Sequence, residues 1–241
     1  MLRAGEEFMT KIKGRMLGLL AGGLLLAGCA SISIVPGTNE ATDRMPKKVY
    51  VAGFDTDKGE FKVDRDGAEL KEFKSNLQLM MSTAISVDLS HRLIAAKITS
   101  KTTPWQAERA WLICGQFRKV KQGSRLLRGV IGFGLGGTKL ITRVQVYDLS
   151  SDSDKPFLTF STSGGSNAEP GAVTAIATDP LTIAIEAVAG GFGGIAHGLT
   201  EDTKRTAREI TAELSDYMFV RGWIPQDKWI PPKKASDNTE W

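Results

Sequence analysis

The sequence predicts an α/β (α+β) fold, a small sheet of about four strands covered by two or three helices, and three patterns predict it. Apolar and polar side chains alternate with the period of two of a strand over Val49 to Phe54 and again over Thr138 to Leu149. Leu70, Phe73, Leu77, Met80, Ala84 and Val87 recur at helical spacing and form one apolar stripe. Ile210, Leu214, Tyr217 and Met218 repeat that spacing near the C-terminus, with Thr200 as N-cap, Glu201 and Asp202 in the first turn, and Gly222 as the stop. Elements in this order bury their apolar faces most simply as a layer of helices on a sheet.

The first segment has the order of an export signal. Lys11, Lys13 and Arg15 precede an uncharged stretch from Met16 to Gly28, which ends in small residues around Cys29. The stretch is shorter than the roughly 20 residues that cross a bilayer as a helix. Leu26, Ala27, Gly28 and Cys29 resemble the lipobox of bacterial lipoproteins. That resemblance implies a signal peptide over residues 1–28, cleavage before Cys29, and a covalent lipid on Cys29 that attaches the protein to the membrane. Two or three acyl chains, each methylene contributing about 0.8 kcal/mol, hold a protein stably where one would not. Ala30 in place of aspartate implies the outer membrane of a Gram-negative cell, with the folded domain facing the periplasm. A buried cysteine closing a hydrophobic helix is the alternative reading. Glu6 and Glu7 are unusual in a basic leader and point to Met9 as the start of translation.

Residues 29–46, with Pro36, Gly37, Asn39, Asp43 and Pro46 and no sustained period, read as a lipidated tether. The α/β domain spans residues 47–224. Its first strand, near Val49, leads into a turn-rich stretch from Asp55 to Gly67 and then into the Leu70–Val87 helix. A strand is expected from Ala110 to Val120, apolar at its start and charged at its end. The strand at Thr138 turns back through a polar loop to a partner at Phe157 to Ser161, a hairpin. A helix from Pro180 to Ala189 precedes a glycine turn and the closing helix. Residues 225–241, polar and proline-rich, read as a tail that lies on the surface or is disordered.

Charge and composition exclude more than they assign. The chain carries a formal net charge of +4, and Arg3, Lys11, Lys13 and Arg15 against Glu6 and Glu7 supply half of it, so the mature part is nearly neutral. Nucleic acid is not an expected partner. Only Cys114 accompanies Cys29, and it lies in the apolar run Trp111 to Cys114, where it packs as a small hydrophobe. His91 and His197 are far apart in the sequence, and neither a G-x-S-x-G elbow nor an S-x-x-K motif is present. The chain is therefore read as having no catalytic residues, no metal site and no cofactor beyond the lipid. The aspartate pairs at Asp55/Asp57, Asp64/Asp66 and Asp152/Asp154 read as turn residues.

The glycine-rich stretch Gly123 to Gly137, the strand end Val144 to Asp148 and the Arg205 to Ile210 part of the closing helix resemble an uncharacterised bacterial family. It is the domain-of-unknown-function family 4410, whose members are often exported or lipidated. The resemblance covers roughly residues 47–224 and implies neither an activity nor catalytic residues. Gly132, Gly134 and Gly137 satisfy a dinucleotide pattern, but a strand follows them where such a site needs a helix.

Two segments stand out as binding candidates. From Arg109 to Tyr147 there is no acidic residue, and Arg118, Lys119, Lys121, Arg125 and Arg128 could contact an anionic surface; a solvated loop is the bland reading. Gly190, Gly194 and Gly198 fall at every fourth position and on one helix would form a smooth packing stripe. The expected function is a lipid-anchored cell-envelope protein whose domain is a non-catalytic binding or assembly module with an envelope protein partner. The alternative is a membrane-active homo-oligomer, a pore or secretion-associated lipoprotein, built on glycine-rich segments 123–137 and 181–199.

Overall fold

A computed structural model describes residues 31–35, 42–123, 137–151, 154–166, 179–191 and 197–233. Among them the chain forms, in order, β1 (Ser31–Ile34), β2 (Lys48–Ala52), β3 (Glu60–Lys62), α1 (Gly67–Arg92), β4 (Ala96–Thr99), β5 (Ala110–Lys121), β6 (Thr138–Asp148), β7 (Leu158–Ser166), α2 (Pro180–Gly191) and α3 (His197–Val220). The strands share one seven-stranded sheet of order β1-β7-β6-β5-β2-β4. β1, β7, β6 and β5 run antiparallel to one another in that order. β2 lies parallel to both β4 and β5, with α1 in the connection from β2 to β4. β2 pairs with residues 110–113 of β5 and β3 with residues 119–121, so two short strands follow one another along the same flank.

The helices cover one face. Val49 and Val51 of β2, Trp111 and Ile113 of β5, Val144 and Val146 of β6 and Phe160 of β7 are buried in one core with Phe73, Leu77, Met80 and Ile85 of α1 and Ile210, Leu214 and Met218 of α3. The α/β class and the β6–β7 hairpin are as the periodicity predicts. The strand count is not: the sheet has seven strands where about four were expected. The additional β1, β3 and β4 have only three or four residues each, too few to display a period, and are defined by their partners.

β1 also corrects the expectation of a tether over residues 29–46. Ser31–Ile34 pairs in register with Ser163–Phe160 of β7, Ile32 is 2% exposed, and its N–H donates to the Lys233 carbonyl at 2.8 Å. The closing helix already includes His197, three residues before Thr200, and Leu199 in its first described turn is fully buried. Its end is as expected. Gly222 has φ +69°, its N–H donates to the Phe219 carbonyl, and the Trp223 N–H donates to the Met218 carbonyl. The tail then lies along α3. Trp229 Nε1 donates to Asp216 Oδ1 at 2.9 Å, the Ile230 N–H to Ser215 Oγ at 2.9 Å and the Lys233 N–H to Glu209 Oε2 at 3.0 Å.

Asp179 caps α2, accepting from the Leu181 N–H at 3.3 Å and the Thr182 hydroxyl at 3.3 Å, and its carboxylate meets Arg208 of α3 at 2.7 Å. Partial burial pushes its pKa up, but these donors outweigh it and hold the carboxyl below its usual range. In β5, the Phe54 ring occupies the space a side chain on Gly115 would fill. Phe54 is fully buried and packs 5.7 Å from the Phe117 ring, so it has little freedom to retreat. Gly115→Ala is expected to destabilise the fold by about 1–3 kcal/mol through overpacking, read from the urea midpoint; an unchanged midpoint would show that Phe54 shifts freely.

Candidate binding face

Strand alternation determines what the uncovered face of the sheet presents. Phe61, Val120 and Leu140 point into or against the core, so their neighbours Lys62, Lys121 and Lys139 point away from the helices. Register aligns them: Lys62 pairs with Lys121 and Lys121 with Lys139, forming a row across β3, β5 and β6. The next row on this face runs Glu60, Lys119, Ile141, Ser163 and Ser31, and the one beyond it Gln116, Arg143, Ser161 and Ser33. A register shift between Phe117 and Lys119 inserts Arg118, whose Nη1 donates to Gln116 Oε1 at 3.3 Å. Val35, Glu60, Arg118, Lys119, Ile141, Arg143 and Ser161 line an open groove of about 520 Å³ here.

Two acidic residues among those described lie on this face, Asp55, which bridges in register to Gln116, and Glu60. Glu60 meets Lys62 at 2.8 Å and Lys119 at 3.2 Å, and hydrogen bonds first from Lys62 and then from Lys119 hold its carboxyl below the usual range. Among the described residues, Arg118, Lys121, Lys139 and Arg143 have no acidic side chain within ion-pair distance. Cations without acidic partners, flanked by serine hydroxyls on a broad open surface, suit an extended anionic partner better than an enclosed small molecule. The other half of the same face is closed. Tyr50, Trp105, Ala107 and Tyr147 pack over Ala52, Ala110, Leu112 and Leu149. Cys114 lies there, its thiol donating to the Thr102 carbonyl at 3.2 Å, and burial pushes its pKa up to about 11, so it stays a protonated thiol rather than a nucleophile.

The structure brings Arg118, Lys119 and Lys121 together on one end of β5 and adds Lys139 and Arg143 from β6. It also adds Glu60 and Lys62, which the basic run could not reveal because they come from a separate strand. Their only linear signal is the short alternation Glu60-Phe61-Lys62-Val63. Arg125 and Arg128 lie outside the described residues, as do Leu26, Ala27, Gly28, Cys29 and Gly194. Gly190 belongs to α2 and Gly198 to α3, so the stripe expected from their spacing is not carried by one described helix. Among the described residues no helix is long and apolar enough to cross a membrane. His91 and His197 are both on helices of the opposite layer. At the aspartate turns, Asp55 Oδ1 accepts the Asp57 N–H at 2.8 Å and Asp148 Oδ1 the Ser150 N–H at 2.9 Å.

The family described as "Domain of unknown function (DUF4410)" matches residues 49–183, more than half of the chain. The chain belongs to this family. The matched stretch runs from β2 to the start of α2 and includes every cation of the open face. No curated protein matches the chain. Among solved structures it is similar to a PelC dodecamer from Paraburkholderia phytofirmans, with 6% identity, 73% of this chain and 96% of that one covered, and a TM-score of 0.34. It is also similar to a putative neuraminyllactose-binding hemagglutinin homolog from Helicobacter pylori, with 11% identity, 78% and 98% covered, and a TM-score of 0.35. At these values neither protein's assembly nor its ligand carries over to this chain.

Proposed function

We propose that this DUF4410 chain is a lipid-anchored protein of the Gram-negative outer membrane whose periplasmic domain is a non-catalytic binding module. The observation that carries the reading is Leu26-Ala27-Gly28-Cys29 at the end of an uncharged export stretch, followed two residues later by the first strand of the sheet. The binding surface is the open half of the sheet, where Arg118, Lys121, Lys139 and Arg143 are available to an anionic partner and the rest of the outer face is closed by Trp105 and its neighbours. The module recognises charge over an area and transforms nothing.

Mass spectrometry of the mature protein from fractionated cells tests the anchor. The wild type is expected in the outer membrane with an acylated N-terminus at Cys29. Cys29→Ser is expected to leave the protein in the soluble fraction, a loss of nearly all membrane association. An unmodified Cys29 in the membrane-bound wild type would refute the assignment.

A further inference from the structure

We infer that the partner of the open sheet face is the leaflet that holds the anchor, docked through Lys121 and Lys139, with Lys62 beside them, on its anionic phospholipid headgroups. The inference rests on the lipid-anchor reading and adds an orientation to it.

The position of β1 carries the argument. Residue 29 precedes Ser31 by two residues, so their Cα atoms are at most about 7 Å apart whatever path the chain takes. Ser31 is held in the sheet by its pairing with Ser163, and Ile32 is locked on both sides, by β7 and by the Lys233 carbonyl. An anchor at Cys29 therefore attaches to a rigid sheet edge. The register then says which cations come with it. Ser31 pairs with Ser163; one step toward the N-terminal side of β1 lies the row of Gly165, Lys139, Lys121 and Lys62. The lysine row is thus at the end of the sheet from which the chain leads back to Cys29.

Screening makes this proximity matter. At physiological salt a charge acts over about 8 Å, so a long tether would leave the lysines indifferent to the membrane, whereas two residues do not. Counted in strand spacings of about 5 Å, Lys139 is two from β1, Lys121 three and Lys62 four, so the row runs away from the anchored edge with Lys139 nearest to it. Lys121 and Lys139 are exposed, and Lys62 is 61% exposed at its side chain, so all three reach a surface without unfolding anything. Lys62 shares Glu60 with Lys119, which leaves Lys121 and Lys139 as the cations best placed for headgroup phosphates. A soluble anionic polymer would meet the same charges, but nothing would bring it preferentially to the end of the sheet where the anchor enters.

The test uses the lipidated full-length mature protein in vesicles of phosphatidylethanolamine with phosphatidylglycerol, and in vesicles of phosphatidylethanolamine with phosphatidylcholine. An amine-reactive label read by mass spectrometry reports each lysine, with Lys97 and Lys228 as exposed references elsewhere. Labelling of Lys121 and Lys139 is expected to fall about fivefold in the anionic vesicles relative to the zwitterionic ones, to recover in high salt, and to stay level at Lys97 and Lys228. Equal labelling in the two vesicle types, with intact mass confirming the lipid on Cys29, would overturn the docking while leaving the anchor standing. A mature protein whose mass shows no lipid would instead sink the anchor reading itself.

Discussion

Trp111→Ala is expected to lower the unfolding free energy by about 4 kcal/mol, within the range of buried tryptophan truncations. Trp111 is 1% exposed on β5 and joins three parts of the fold that are distant in sequence. Its ring lies 4.9 Å from that of Phe157 at the start of the return strand, 5.7 Å from Tyr217 of α3 and 6.1 Å from Trp223 beyond the helix stop. Phe157 and Tyr217 are themselves 5.0 Å apart, so alanine would open a cavity between rings that cannot close on each other without moving α3 off the sheet. The indole Nε1 is buried with no hydrogen-bond partner among the described residues. Trp111→Phe keeps an aromatic ring in the cluster and removes that unsatisfied donor, and is expected to cost less than about 1.5 kcal/mol. Urea unfolding of both variants checks this; an alanine cost no larger than the phenylalanine cost would show that the cluster does not clamp the helix to the sheet.

Asp202→Asn is expected to act in the opposite direction and to stabilise the protein at neutral pH. Asp202 is fully buried in α3, with the Thr138 side chain and the Arg205 guanidinium as its polar neighbours. Burial pushes its pKa up to about 6 from the ordinary 3.8; the Thr138 side chain and the Arg205 guanidinium, 3.9 Å away, offset only part of that. A carboxyl whose folded pKa is raised favours the folded state while protonated. Its contribution is therefore complete below about pH 4 and is lost as the pH rises through about 6. At pH 7.5 the native chain holds a charge that the asparagine variant lacks, and the shift corresponds to a gain of up to about 3 kcal/mol for the variant. The gain should vanish near pH 4, where both side chains are neutral. Urea midpoints at the two pH values decide it; a gain of equal size at both would assign the effect to packing rather than to ionisation.

The long elements were legible because their periods are long enough to be seen. α1 shows its stripe over 26 residues, and Phe73, Leu77, Met80 and Ala84 are buried as the spacing requires. β6 alternates over 11 residues and its apolar face is the buried one. β1, β3 and β4 have no comparable signal, since three or four residues fit a loop as well as a strand until a neighbour supplies the hydrogen bonds. Ser31–Ile34 is the clearest case: proline, glycine and asparagine follow it, and only β7 and the Lys233 carbonyl make it a strand.

The candidate site divides in the same way. The sequence by itself determined the uncharged stretch with its lipobox-like end, the absence of acidic residues between Glu108 and Asp148, and the alternation that makes one side of β5 and β6 apolar and the other cationic. These are local properties, written in spacing and side-chain chemistry. Tertiary structure alone decided that Lys62, Lys121 and Lys139 stand in one row, that Glu60 neutralises part of Lys119, and that Ser31, two residues after Cys29, belongs to the sheet. Those are consequences of register between strands far apart in the chain, and register is set by the packing of opposite faces, which no single segment contains.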